Sequence, residues 1–206
     1  ISGCDFECPA YVDHLFGGKG NHWNFHGCRF QVGDLILLVF EGTNLKFSDC
    51  MVLAPSHGGN ICVVGGNIKN CEWENSVVLT NRTLFSVGNL DYRLAFNHCT
   101  IKNKLGLVSA FSKDPPQPVL IETSNCILDT SYCEFSNKKQ VTWKSKNNLY
   151  TNDSFIFPPY LEDAKQRTGY EEPGCMQVPQ VYFSWSESYA QKSIGQSLAL
   201  YQKRLE

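Results

Sequence analysis

The sequence predicts an all-β fold: a parallel β-helix of about seven coils, followed by an irregular tail and one C-terminal helix. Three observations carry this expectation. A short cysteine-centred pattern recurs along the chain. The apolar alternation changes parity just before each cysteine. The interval between copies has the length of one solenoid coil.

The pattern is seen in Trp23-Asn24-Phe25-His26-Gly27-Cys28-Arg29-Phe30 and again in Leu45-Lys46-Phe47-Ser48-Asp49-Cys50-Met51-Val52. It returns around Cys71, Cys99 and Cys126, and Cys4 heads a first copy. The intervals between these six cysteines are 24, 22, 21, 28 and 27 residues. Counting from each cysteine, position −5 reads Trp23, Leu45, Gly66, Leu94, Ile121, and position −3 reads Phe25, Phe47, Ile68, Phe96, Thr123. Position +2 reads Phe6, Phe30, Val52, Trp73, Ile101, Leu128. A seventh copy has Asn148 in the cysteine position, with Trp143 at −5 and Tyr150 at +2.

Residues two apart on a strand share a face. Positions −5 and −3 therefore face one way, and positions 0 and +2 have the opposite parity. Both sets point inward only if the chain turns a corner between them. Position −1 reads Gly3, Gly27, Asp49, Asn70, His98 and Asn125, residue types that tolerate positive φ. Each copy thus reads as strand, corner, strand and a looser return. A third set of strands is expected at Leu35–Phe40, Ile61–Val64, Val77–Leu79, Leu105–Phe111 and Val119–Ile121.

Residues 1–150 form the predicted β-helix. Residues 151–185, with Pro158-Pro159, Pro173-Gly174 and Pro179, read as an irregular tail packing on the rod. In residues 186–206 Ser186 is a plausible N-cap, and Ile194, Leu198, Tyr201 and Leu205 keep an amphipathic helical rhythm. That helix either covers the rod or serves self-association.

The Gly-Cys-x-Phe, Asp-Cys-x-Val, Asn-Cys-x-Trp and Asn-Cys-x-Leu series resembles the right-handed parallel β-helix of the pectate-lyase-like superfamily. It is more distantly similar to the C-terminal β-helix regions of planctomycete serine/threonine-kinase-like proteins, with a closing Asn148-Leu149-Tyr150. The resemblance implies a right-handed coil. It also implies polysaccharide lyase or hydrolase activity on a polyuronide as one function. Tyr11-Val12-Asp13-His14 resembles a segment of pectate lyases. The calcium-binding carboxylates and the catalytic arginine that accompany it in those enzymes have no placed counterpart here, and no Asp-Asp pair occurs.

Composition narrows the function classes. Charged residues are 18% and the formal net charge is −2, without a basic stripe, so a nucleic-acid partner is not expected. The longest apolar run, Leu35 to Phe40, is strand-sized, so no membrane span is expected. No signal peptide is visible at Ile1, and the chain reads as an excised piece of something longer. Asn81-Arg82-Thr83 and Asn152-Asp153-Ser154 match glycosylation sequons.

Cys28, Cys50, Cys71, Cys99 and Cys126 are expected as a core column, with Gly27, Asp49, Asn70, His98 and Asn125 as the corners. Stacked on parallel strands about 4.8 Å apart, the cysteines lack the close Cys pair of a zinc site. His22, His26 and Cys28 divide between the two sides of the wall. No metal or cofactor is therefore expected.

Function is expected on outward columns after the corner: Asp5, Arg29, Met51, Glu72, Thr100, Ile127, and Glu7, Gln31, Leu53, Glu74, Lys102, Asp129. Arg29, Glu72, Glu74, Lys102 and Asp129 are the candidate binding residues. No catalytic residue is assigned. The favoured expectation is a non-catalytic module presenting a rigid flank to a glycan or protein. A structural spacer or assembly domain is a further alternative.

Overall fold

The structure, a computed structural model, describes residues 1–8, 14–32, 36–54, 60–65, 69–81, 83–87, 92–103, 106–110, 119–130, 141–151 and 173–178. The expected helix 186–206, most of the tail 151–185, the Tyr11–Asp13 part of the tetrapeptide and the Asn152 sequon lie outside them.

The described chain is a parallel β-solenoid with no helix. The first sheet stacks β1 (Asp5–Cys8), β3 (Arg29–Val32), β5 (Met51–Ala54), β8 (Val77–Thr80), β11 (Thr100–Asn103), β14 (Ile127–Thr130), β16 (Leu149–Thr151) and β17 (Met176–Val178). The second contains β2 (His14–His26), β4 (Ile36–Ser48), β6 (Asn60–Gly65), β7 (Asn70–Glu74), β9 (Thr83–Val87), β10 (Tyr92–Asn97), β12 (Val108–Ala110), β13 (Val119–Ser124) and β15 (Val141–Lys146). Long strand β4 joins two stacks. Its Leu38–Glu41 stretch pairs with β6, which leads on to β9 and β12. Its Asn44–Ser48 stretch pairs with β7, which leads on to β10, β13 and β15. No described helix is long and apolar enough to cross a membrane.

The corners fall at residues with positive φ: Gly3, Gly27, Asp49, Asn75, His98, Asn125, Asn147 and Gly174. One expected corner moves. Asn70 lies within β7, and the left-handed residue of that coil is Asn75, at φ 47°. Cys71 is buried, but it pairs with Leu45 and Leu94 at the −5 position. Ser76 takes the place after the corner. Trp73 likewise moves from +2 to −3, between Phe47 and Phe96, and Val78 fills +2. The reason is steric and polar together. Asn75 tolerates the left-handed turn, and a serine supplies the same small polar side chain as cysteine. Strand Val77–Thr80 accordingly belongs to the first sheet, and β9 takes the third-stack place expected of it.

The tail reading also changes at one point. Gly174 and Cys175 repeat the corner, and β17 pairs with β16 through Leu149↔Met176. Part of the stretch expected as irregular thus continues the first sheet.

Three inward columns pack beside the one that follows the corner. Phe25, Phe47, Trp73 and Phe96 are all nearly fully buried. Phe25 stacks on Phe47 at 5.1 Å between ring centroids, and Phe47 on Trp73 at 4.0 Å. Phe6 stacks on Phe30 at 4.9 Å in the +2 column. Leu45, Cys71, Leu94, Ile121 and Trp143 form the −5 column.

The position after the corner does more than fill space. The main-chain ladder crosses the corner, as in Val77 N to Cys50 O and Thr100 N to Ser76 O. The amide at the cysteine position itself points inward and has no carbonyl opposite. The next coil's side chain receives it. Cys50 N donates to Ser76 Oγ (3.0 Å), Cys99 N to Cys126 Sγ (3.4 Å), Cys126 N to Asn148 Oδ1 (2.9 Å) and Asn148 N to Cys175 Sγ (3.4 Å). In turn Cys28, Cys50, Ser76, Cys99 and Cys126 donate to the carbonyl two residues back. The column therefore needs a small side chain that both donates and accepts, a condition met by Cys, Ser and Asn. Burial raises the Cys50 thiol to about 11, and raises that of Cys71 as well, which keeps both in the unreactive protonated form.

The corner makes a direct prediction. His98 is exposed at φ 52°. Replacing it by Ala retains the Cβ cost of a left-handed residue and is expected to lower stability slightly, whereas His98→Gly removes that cost and is expected to raise it by up to about 1 kcal/mol relative to Ala. Urea midpoints of the two variants check the order; an Ala variant more stable than the Gly variant refutes it.

Candidate functional site

The outward side chains of β4 (from Asn44), β7, β10, β13 and β15 form one polar face. In register its central column reads Lys46, Glu72, Ala95, Glu122, Lys144. The flanking columns read Asn44, Asn70, Arg93, Leu120, Thr142 and Ser48, Glu74, Asn97, Ser124, Lys146. Alternation puts these residues outward because their neighbours Leu45, Trp73, Leu94 and Ile121 occupy the core.

Arg93 organises this face. Its Nη1 donates to Glu72 Oε1 at 2.7 Å and to Asn70 Oδ1 at 2.9 Å, and its Nε donates to Glu122 Oε2 at 2.6 Å. Ala95, lying between Glu72 and Glu122 in the central column, has no long side chain to block this reach. Asn70 Nδ2 also donates to Glu72 Oε1 at 3.0 Å. Beside them Lys46 Nζ contacts Glu74 Oε2 at 2.9 Å, which raises the lysine's pKa. Lys144 and Lys146 are exposed at the β15 end of the face.

The Asn70 amide and the Arg93 guanidinium hold the Glu72 carboxyl below the usual carboxylate range. A lowered folded-state pKa contributes stability above the unfolded value, about 4.3, and that contribution is lost as pH falls through the lower folded value. Glu72→Gln is therefore expected to flatten the acid limb of stability below about pH 5 and leave its slope near neutrality unchanged. The side chain is 36% exposed, so solvent screening limits the loss to under about 1 kcal/mol. Urea titrations of both proteins across the acid range check this, and parallel acid limbs refute it.

The five residues expected from sequence do not share a face. Glu72 and Glu74 lie on the polar face of the second sheet. Arg29, Lys102 and Asp129 lie outward on the first sheet, where Val77 and Leu79 occupy the positions assigned to the two glutamates. Arg29 Nη2 bonds Asp5 Oδ2 at 2.6 Å, as stacked opposite charges would. Lys102 pairs with Asp129 at 3.1 Å, and Thr151 Oγ1 donates to Asp129 at 3.0 Å.

Arg93, Glu122 and Lys46 were missed in the sequence. Their signal is present: with the corner at Asn75, Glu72 falls four residues before position zero, as Lys46 and Glu122 do.

A second polar line follows the corners. Asp49 accepts from Asn75 Nδ2 at 2.5 Å and lies 3.1 Å from His26 Nδ1, which is also 3.1 Å from Ser48 Oγ. Asn147 donates to Asn125, and Asn125 to Asn97. His22 Nδ1 lies 3.2 Å from Asn44 Nδ2. Among the described residues no group of three or more His, Cys, Asp or Glu side chains could hold a metal ion. Asn81, the acceptor residue of the first sequon, is buried.

The class defined by fold and surface is a parallel β-solenoid with one cross-linked polar face. No family model matches the chain, and no curated protein or solved structure matches it.

Proposed function

We propose that this chain is a non-catalytic β-solenoid module whose rigid polar flank, the outer face of β7, β10 and β13, binds a glycan or protein. One observation carries the reading: Arg93 fixes Asn70, Glu72 and Glu122 in one hydrogen-bonded array across three neighbouring strands. Side chains already held in place lose less entropy on binding, so a polar partner gains more of each contact.

The wider picture behind this reading is a right-handed rod of about seven coils, akin to the pectate-lyase-like superfamily. A crossover between parallel strands of one sheet is right-handed in about 98% of cases.

The polysaccharide lyase or hydrolase alternative fits the charges less well. An acid catalyst needs a carboxyl that holds its proton, and Glu72 is shifted the other way. A base needs a free lone pair, and Arg93 is paired with two carboxylates. The second alternative, a spacer or assembly domain, requires self-association through residues 186–206.

A glycan array with a coupled degradation assay tests the proposal on the intact protein and on Arg93→Ala. Glycan binding that weakens at least about tenfold in the variant, without cleavage, supports the flank. Cleavage supports the enzyme. No binding and no cleavage remove the glycan arm and leave a protein partner or a spacer.

A further inference from the structure

The array that Arg93 holds together keeps unused hydrogen-bonding capacity. Arg93 donates through Nη1 and Nε, and its Nη2 donates to no described residue. Glu72 accepts through Oε1 and Glu122 through Oε2, so one oxygen of each carboxylate accepts from no described residue. The two carboxylates stand on β7 and β13, on either side of the guanidinium on β10, and their side chains are 36% and 31% exposed. The array therefore offers acceptor, donor and acceptor in turn.

The charges around it favour a partner of neither sign. From β4 to β13 two cations, Lys46 and Arg93, stand beside three carboxylates, Glu72, Glu74 and Glu122. On β15 Lys144 and Lys146 reverse the balance. A polyanion lying across β7, β10 and β13 meets the excess of carboxylates, and a polycation continuing onto β15 meets two lysines. Like charges brought together cost affinity. A protein surface matches the face poorly as well. Of its fifteen outward positions only Ala95 and Leu120 are apolar and none is aromatic. Protein interfaces are centred on buried apolar and aromatic side chains.

We propose that the partner of this face is a neutral, hydroxyl-rich glycan, held at the Glu72–Arg93–Glu122 array through vicinal hydroxyl groups. The inference rests on the flank reading above and narrows it to one ligand class. A hydroxyl donates one hydrogen bond and accepts two, so two adjacent hydroxyls can donate to the carboxylates while accepting from Arg93 Nη2. Glu72, whose carboxyl is held below the usual carboxylate range, stays an acceptor at neutral pH. Hydrogen bonds with one ionised partner are about twice as strong as neutral ones, and a neutral sugar gains them without meeting a like charge. A uronate or sulfate group only accepts, and here it finds one donor between two carboxylates.

Titration calorimetry of the full chain with dextran, pullulan, galactomannan, polygalacturonate and heparin tests this. At least one of the three neutral polymers is expected to bind more tightly than either acidic one, with an affinity that raised salt leaves within about twofold. Periodate cleaves the carbon–carbon bond between vicinal hydroxyls, and oxidising that polymer is expected to weaken binding at least about tenfold. Glu122→Ala is expected to weaken it by a similar factor. The periodate arm uses the unaltered protein, which guards against a variant that fails to fold. Three results overturn the proposal. An acidic polymer that binds more tightly than every neutral one, and is lost in Arg93→Ala, removes the neutral ligand and leaves the flank reading standing. Neutral binding untouched by periodate removes the vicinal hydroxyl contact. Binding of none of the five removes the inference together with the glycan arm of the reading.

Discussion

Asn148→Ala is expected to destabilise the protein by about 3 kcal/mol, although it removes only one small side chain. Asn148 is fully buried. Its Oδ1 accepts the inward-pointing amide of Cys126 at 2.9 Å. Its Nδ2 donates to Thr123 O at 3.1 Å and approaches Thr123 Oγ1 at 2.9 Å and Tyr150 Oη at 3.1 Å. Truncation orphans the Cys126 amide and strips a donor from this polar cluster, in a place closed to bulk solvent. Each buried group left unsatisfied costs about 1–3 kcal/mol. Asn148→Cys restores the residue type of the neighbouring coils and can again accept from Cys126, so its loss is expected to be about half as large. The urea midpoint should fall in that order with an unchanged m value. If Asn148→Ala loses less than about 1 kcal/mol, the column is mere packing and the hydrogen-bond ladder is not what selects its residues.

The same ladder explains what sequence reasoning could and could not reach. The corner was visible because Gly, Asp, Asn and His tolerate positive φ and stand beside a repeated cysteine. Gly27, Asp49, His98 and Asn125 all adopt it. Cysteine as the marker misplaces the coil at Asn75. The marker is a chemical requirement, and Ser76 meets it without being a cysteine, while Cys71 is simply a small core residue one strand earlier. Realigned, the uneven intervals of 21 and 28 residues around Cys71 become 26 and 23 around Ser76. That single shift moves Glu72 and Glu74 to another face and brings Val77 and Leu79 into the two outward columns of the first sheet. The polar face itself was beyond a column-by-column reading. Arg93 reaches both Glu72 and Glu122 only because Ala95 lies between them, a relation among four residues on three strands that no single-strand alternation contains.

Phe47→Ala is expected to cost about 4–5 kcal/mol, and to do so locally. Phe47 is fully buried, stacked between Phe25 and Trp73, with Phe30 edge-on at 6.2 Å. Removing it deletes the middle ring of the stack. The loss combines a large cavity with aromatic pairs worth about 0.5–1.5 kcal/mol each. Phe47→Leu keeps most of the volume and is expected to lose about half as much. The core changes character along the solenoid. The column that holds Phe25, Phe47, Trp73 and Phe96 continues as Thr123 and Ser145, which are buried beside the hydrogen-bonded Asn148 and Tyr150. A coil in a solenoid contacts chiefly its neighbours, so damage to one stretch spreads only as far as the coupling between coils allows. In Phe47→Ala the amides of β3, β5 and β7 should therefore lose hydrogen-exchange protection more than those of β13, β14 and β16. Asn148→Ala should show the reverse gradient. Equal loss at both ends in both variants would falsify this division and mean that the aromatic and polar halves fold as one cooperative unit, with the ladder and the stack stabilising the same transition.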